Sequence, residues 1–310
     1  MNTIPLPALS GRIPLGFLAA LGLHHLATHH ADSTDVRLSW DPATHTAQLH
    51  TRQWNDVDGI ADWLINLVDN LPDDQLLPSY PPGFPPPGAA PDPLVCTPEQ
   101  YPHLFTDHHT ARDILGALVT DLAINPQGRV RRTPMVAPTG KQTFHTMLRN
   151  QATTIRAHPE HLRDALTRWQ RHPDTTAESF DHAAIIGAAD EPTGQPGERA
   201  IPGATWLAIA GLPAYRLATD HHQRLTATAW RHPGKRPLLI WPLWTPPLDT
   251  HATHTLLEHP ITTHNARDHG TQLHLPLTTT HRTLGIFAIY AAHRRNTGHS
   301  DGPLTPLPTT

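Results

Sequence analysis

Thr3-Ile4-Pro5-Leu6-Pro7-Ala8-Leu9, with Pro14-Leu15-Gly16-Phe17-Leu18-Ala19-Ala20-Leu21 soon after it, sets two periods side by side. The first reads as a strand. Pro14 stands where a helix can begin, because the N–H it lacks would have no partner there, and Leu15, Leu18, Ala19, Leu21 and Leu26 follow at helical spacing. Residues 36–40 and 46–51 alternate as strands around Asp41-Pro42, which reads as a hairpin. Asp56 then offers an N-cap to a helix with Ile60, Trp63, Leu64, Leu67, Val68 and Leu71 on one face. This order predicts an α+β fold, with mixed helices and short antiparallel strands around one core.

Working outward, residues 72–102 change character, centred on Pro81-Pro82-Gly83-Phe84-Pro85-Pro86-Pro87-Gly88. Proline removes backbone donors and fixes φ, so this stretch predicts a surface strap, an insertion within a single domain spanning 1–310. Helices are expected over 110–124, ended by Pro126 and Gly128, and over 143–157 and 159–171, separated at His158-Pro159. Residues 174–203 are polar and loop-like. An apolar helix over 204–217 is expected to kink at Pro213, strands over 225–230 and 237–241, a helix over 250–258, and a buried strand over 284–291 before His293-Arg294-Arg295. No repeat of solenoid period is present.

Composition narrows the function classes. The formal charge is −4, and eight Trp are available for packing, which together disfavour disorder. A single cysteine, Cys96, excludes an intramolecular disulfide and a zinc site of several thiolates, and fits a cytoplasmic location. The apolar stretch 13–26 lacks a basic n-region and is interrupted by Gly16, Gly22, His24 and His25, so neither a signal peptide nor a membrane partner is expected. Lysine occurs only at Lys141 and Lys235. The same compositional drift towards Arg, Pro, Thr and Ala can supply 26 histidines without any metal, so no metal centre and no cofactor is expected.

The catalytic patterns are incomplete. Gly298-His299-Ser300-Asp301-Gly302 matches G-x-S-x-G, yet Pro303 follows it and no downstream His, Asp or Glu completes a triad. In Ala137-Pro138-Thr139-Gly140-Lys141-Gln142-Thr143 the leading glycine of a P-loop would fall on Met135, and Gln142 stands where a Mg²⁺-binding hydroxyl belongs. His25 and His29 share a helix face with no Glu after His25. Asp107-His108-His109, with Asp113 beyond, and Asp220-His221-His222 echo the dyads of metal phosphohydrolases, and they carry the rival reading of a metal-dependent phosphoesterase or nuclease. Trp206, Trp241 and Trp244 lie in apolar surroundings and are expected in the core.

Charge placement is the most physical signal. Arg129, Arg131, Arg132, Lys141, Arg149, Arg156, Arg163, Arg168 and Arg171 face only Glu160 and Asp164 within the same segment, nine positive against two negative, or +7. Arginine forks bind phosphate bidentately, so this stretch is the expected nucleic-acid contact, with Arg129, Arg131, Arg132, Gly140, Lys141, Arg149 and Arg156 as its core. Gly140 and the amides after it are expected to open a helix whose N-terminus accepts a backbone phosphate.

Several blocks together resemble a known family. Pro14-Leu15-Gly16-Phe17-Leu18-Ala19-Ala20-Leu21-Gly22-Leu23 is similar to the opening of type I-G (formerly I-U) CRISPR-associated proteins, including the large-subunit-like ones. Val119-Thr120-Asp121-Leu122-Ala123, residues 133–142, Ile201-Pro202-Gly203-Ala204-Thr205-Trp206-Leu207-Ala208 and Trp241-Pro242-Leu243-Trp244 extend the resemblance to the group described as an extension family of that system's interference helicase-nuclease. The resemblance implies a non-catalytic part in crRNA-guided interference. Its partners would be other effector subunits or the helicase-nuclease, with crRNA or target DNA. It supplies no catalytic residues, and a purely structural adaptor is the remaining alternative.

Overall fold

The computed structural model describes residues 1–31, 35–88, 92–137, 142–187, 197–234, 236–296 and 301–310. Strand β1 (Asn2–Ser10) buries Ile4 and Leu6 on one face, and Leu9 beyond an irregularity in its pairing. Pro5 and Pro7 are tolerated because β1 is an edge strand of the antiparallel sheet β1-β3-β2, with β2 at Arg37–Trp40 and β3 at Thr46–Thr51. Helix α1 (Pro14–His30) is buried without a break from Pro14 to His24, so it is a central helix, not an amphipathic cover. Asp56 caps α2 (Val57–Asp69) by accepting from Gly59 N at 2.9 Å, as its position predicts.

The strap has no helix or strand among its described residues before α3 (Tyr101–Asp107), yet it does more than connect. Leu77, Tyr80, Phe84, Leu94 and Cys96 enter the core, and the Tyr80 hydroxyl donates to Ile209 O at 3.2 Å. Asp92 is buried as well and caps a distant helix, described below.

The expected helix over 110–124 is two elements. Helix α4 (Arg112–Leu118) stops where β4 (Val119–Ile124) turns back to pair with β5 (Val130–Arg132), Val119 opposite Arg132. Beyond it, α5 (Phe144–Ala157) matches its expected span, whereas α6 (Glu160–Thr167) is shorter than 159–171. Strands β6 (His172–Pro173), β7 (Ile185–Ile186) and β8 (Gly197–Ala200) form a small sheet in the order β6-β8-β7. The expected kinked helix over 204–217 is instead α7 (Pro202–Ala210), ending at Gly211, with Pro213 in a separate 3₁₀ turn. Pro213 has no N–H to continue the ladder, and α1 packs closely here: a Cβ on Gly211 would stand 2.7 Å from Gly22 Cα, and one on Gly22 would stand 1.8 Å from Leu207 O.

The larger sheet is antiparallel, in the order β16-β15-β12-β11-β10-β9. Its strands are β9 (Leu217–Thr219), β10 (Leu225–Ala227), β11 (Trp230–Arg231), β12 (Leu238–Trp244), β15 (Ile286–Asn296) and β16 (Asp301–Leu307). Between β12 and β15 come α8 (Thr250–Glu258), the pair β13 (Arg267–Asp268) and β14 (Leu273–His274), and α9 (Thr279–Thr283). β16 was not expected from the sequence; it is an edge strand, where Pro303 and Pro306 cost no interior ladder bond.

Trp206, Trp241 and Trp244 are core residues, as expected. Trp241 Nε1 donates to Gly11 O (2.8 Å) and Trp244 Nε1 to Leu38 O (2.9 Å), so both indoles satisfy their one polar atom. Phe17 of α1 stacks on Trp40 of β2 (5.7 Å) and on Trp241 of β12 (5.4 Å), which places the helix against both sheets. One continuous cluster of buried apolar side chains runs from Ile4 to Leu307.

Candidate nucleic-acid interface

The β4–β5 hairpin presents the first of the predicted arginines. Asn125 accepts from Gln127 N (3.0 Å) and Arg129 N (2.9 Å), and Gly128 takes φ 74, so the turn is fixed by local chemistry. Val130 is buried, and Val130 N donates to Cys96 O at 3.0 Å, tying the hairpin to the strap. Arg131 is exposed and makes no ion pair among the described residues. Arg129 sends its guanidinium to Val95 O (3.2 Å), and Arg132 lies 3.7 Å from the carboxylate of Asp92.

Four further arginines of the basic segment are engaged within the fold. Arg156 holds the start of the strap by donating to Pro72 O (2.6 Å), Gln75 O (2.8 Å) and Asp73 O (3.3 Å). Arg163 pairs with Asp58 and Asp62 of α2, Arg168 with Asp164, and Arg171 with Asp181 at 2.6 Å. Part of the segment's charge is thus answered, by Asp58, Asp62 and Asp92 from distant stretches and by Asp164 and Asp181 close by. Arg149 is exposed on α5. Gly140 and Lys141 lie outside the described residues.

The start of α5 already has protein partners. Phe144 N donates to Asp92 Oδ2 at 2.6 Å, and Thr143 and Thr146 close a reciprocal capping box. A carboxylate from the strap occupies the place that the sequence reading offers to phosphate.

A groove of about 560 Å³ runs beside the hairpin. Arg131 and Arg132 line one side, and Arg224 and His232, from the turns flanking β10 and β11, line the other. No Asp or Glu lines it among the described residues. Asp220 orients Arg224 from behind, 2.7 Å from its Nε. Burial works to raise the Asp220 carboxyl, but hydrogen bonds from Arg224 and His222 outweigh it and hold it down at about 2. Burial, helped by the charge of Arg224, lowers His232, so the groove's positive charge at neutral pH is arginine. Arg224 and His232 were not found in the sequence, since nothing local links them to a hairpin some ninety residues earlier.

The rival clusters do not converge as written. Asp107, His109 and Asp113 are exposed, and His108 sets its ring edge-on to Phe84 at 5.6 Å. His221 and His222 stack on each other in solvent, while their Asp220 is engaged by Arg224. Residues 298–300 of the G-x-S-x-G stretch lie outside the described residues, and the strand β16, not a helix, follows them.

Histidines do converge elsewhere. A cavity of about 950 Å³ between α1 and α8 is lined by His25, His29, His30, His251, His254 and Glu258. Burial, then the neighbouring His29, pushes His25 down to about 3, and burial pushes His24 down to about 4. No protein-family model matches the chain, and no curated protein matches it in sequence.

Proposed function

We propose that this chain is a non-catalytic component of a type I-G CRISPR interference system that meets a nucleic-acid backbone at the groove beside the β4–β5 hairpin. The observation that carries the reading is the lining itself: Arg131, Arg132 and Arg224 with no carboxylate facing the same space among the described residues. Arginine forks at such spacing suit phosphate oxygens, and sequence readout in guided systems is left to base pairing, so a backbone contact is sufficient. The family resemblance supplies the biological setting. It names crRNA or target DNA as the polymer and the other effector subunits as neighbours.

Arg131 is the clean probe, because it is exposed and supports nothing internal. Arg131→Ala should weaken binding of a single-stranded RNA or DNA about equally across sequences and flatten the salt dependence by roughly one phosphate contact, whereas Arg149→Ala should leave both unchanged. Equal effects of the two variants would return the binding surface to α5. No salt-dependent binding by the parent chain would leave the structural-adaptor alternative.

The phosphoesterase reading retains one specific observation, the histidine-lined cavity between α1 and α8, in place of the Asp-His-His clusters that suggested it. Divalent-ion-dependent hydrolysis of a phosphodiester, abolished by Glu258→Gln, would favour it over the binding role.

A further inference from the structure

His158, Glu160 and His161 are the one group of three His, Cys, Asp or Glu side chains, among the described residues, whose donor atoms all lie within 4.8 Å of one another. They sit where α5 ends and α6 begins, and the local backbone fixes them. His158 is the C-cap of α5, Pro159 the N-cap of α6, and His161 N donates back to His158 O at 3.1 Å. The first turn of α6 is held hard against α7, since a Cβ on Gly203 would stand 2.2 Å from His161 O.

A third imidazole completes the cluster. His172, at the start of β6, sets its ring 3.8 Å from that of His161, and Asp164 Oδ2 lies 3.5 Å from His172 Nε2. His161 Nδ1 is buried without a hydrogen-bond partner, whereas His172 Nε2 faces Asp164 and leaves its other ring nitrogen as the donor. An orphaned buried polar atom costs about 1–3 kcal/mol, and such atoms in a native fold ask for an explanation. The hydrogen bond between His158 and Glu160 (3.2 Å) accounts for the exposed half of the cluster and not for His161 Nδ1.

We propose that this junction binds a divalent transition-metal ion of the zinc type, with His158, Glu160 and His161 as ligands, His172 as the fourth group, and Asp164 orienting His172. Two or three imidazoles and one carboxylate form a donor set that Zn²⁺ accepts in four-coordinate geometry and that hard ions such as Mg²⁺ do not prefer. The exposed His158 and Glu160 give the ion a way in from solvent. Glu160 offsets the positive end of the α6 dipole, against which a cation would otherwise be placed. The ion would clamp α5, α6 and β6 together. Composition explains why the chain has many histidines; it does not explain why these three donors meet with a buried, unpartnered nitrogen on one of them.

The test uses the full chain stripped with a chelator and titrated with Zn²⁺ by calorimetry and with Co²⁺ by visible absorption at neutral pH. One equivalent should bind, with Co²⁺ giving the intense d–d bands of a four-coordinate site. His158→Ala with Glu160→Gln, both exposed, should weaken that step by more than tenfold while the melting temperature of the metal-free protein stays unchanged, and His172→Gln should weaken it by about tenfold. The proposal is overturned if no stoichiometric ion binds at about 0.1 mM. It is equally overturned if the double variant binds as the parent does, or if His29→Ala removes the site and the double variant does not, which would put the ion in the α1–α8 cavity.

Discussion

Asp92 joins the strap to the rest of the molecule, and its removal should be costly. The residue is 6% exposed, its Oδ2 accepts from Phe144 N at 2.6 Å, and its Oδ1 accepts from Leu94 N at 2.9 Å. Asp92→Ala would leave both amides without these acceptors in a place water does not reach. A hydrogen bond to a charged group contributes about 1.5–3 kcal/mol, and an N-cap alone about 1. The two bonds share one carboxylate and are not additive, so the sum is set at roughly 3 kcal/mol. Asp92→Asn keeps one acceptor oxygen and should cost about half as much. For a chain of this size, 3 kcal/mol corresponds to a fall in melting temperature of about 5 °C. Urea titration gives the free energy and differential scanning fluorimetry the temperature. A loss below about 1 kcal/mol for Asp92→Ala would refute the reasoning, because it would mean the strap does not cap α5 in solution.

Gly22→Ala should destabilise by about 2–4 kcal/mol, since the new methyl meets Leu207 O across the α1–α7 contact, and a denaturation midpoint within error of the parent would contradict that packing. Arg132→Ala should cost only about 0.5–1 kcal/mol, as Asp92 keeps both amide donors and the arginine is partly exposed; urea titration of the two variants side by side checks the ranking. His24 is buried and held down to about 4, so its neutral form is favoured by folding. The unfolded chain therefore binds the extra proton: the contribution is complete above about pH 6.5 and is lost as pH falls through 4, with a slope of up to 1.4 kcal/mol per pH unit for this one group. His24→Gln should flatten that acid limb in stability measured against pH.

Local signals carried the first fifth of the chain well. Pro14 opened a helix, Asp56 capped one, and alternation around Asp41-Pro42 made the hairpin, because each depends on residues within one or two turns. Three other elements depended on distant partners. Val119 to Ile124 carries a helical apolar pattern but becomes a strand because β5 offers its edge, and α7 ends where Gly22 comes up against it. β16 exists because β15 needs a neighbour, whatever its prolines suggest. The basic segment was legible as composition and not as surface: Asp58, Asp62, Asp92 and Asp181 reach its arginines from elsewhere, and the groove that remains borrows Arg224 from another hairpin. The His158 cluster was invisible, since its spacing is unremarked in so histidine-rich a chain.

Helix α1 is buried on every side from Pro14 to His24, and although Trp40 reaches Phe17 early, much of its cover is supplied by segments made much later: Leu207 against Gly22, Trp241 against Phe17, Trp244 against the hairpin that follows. During synthesis this helix emerges early and stays only partly covered until the ribosome has passed the middle of the large sheet. At some ten residues per second, that is a wait of roughly twenty seconds. A nascent chain in that condition is a natural client for a holding chaperone, and production of the protein should respond more to translation speed and chaperone supply than its finished stability would suggest.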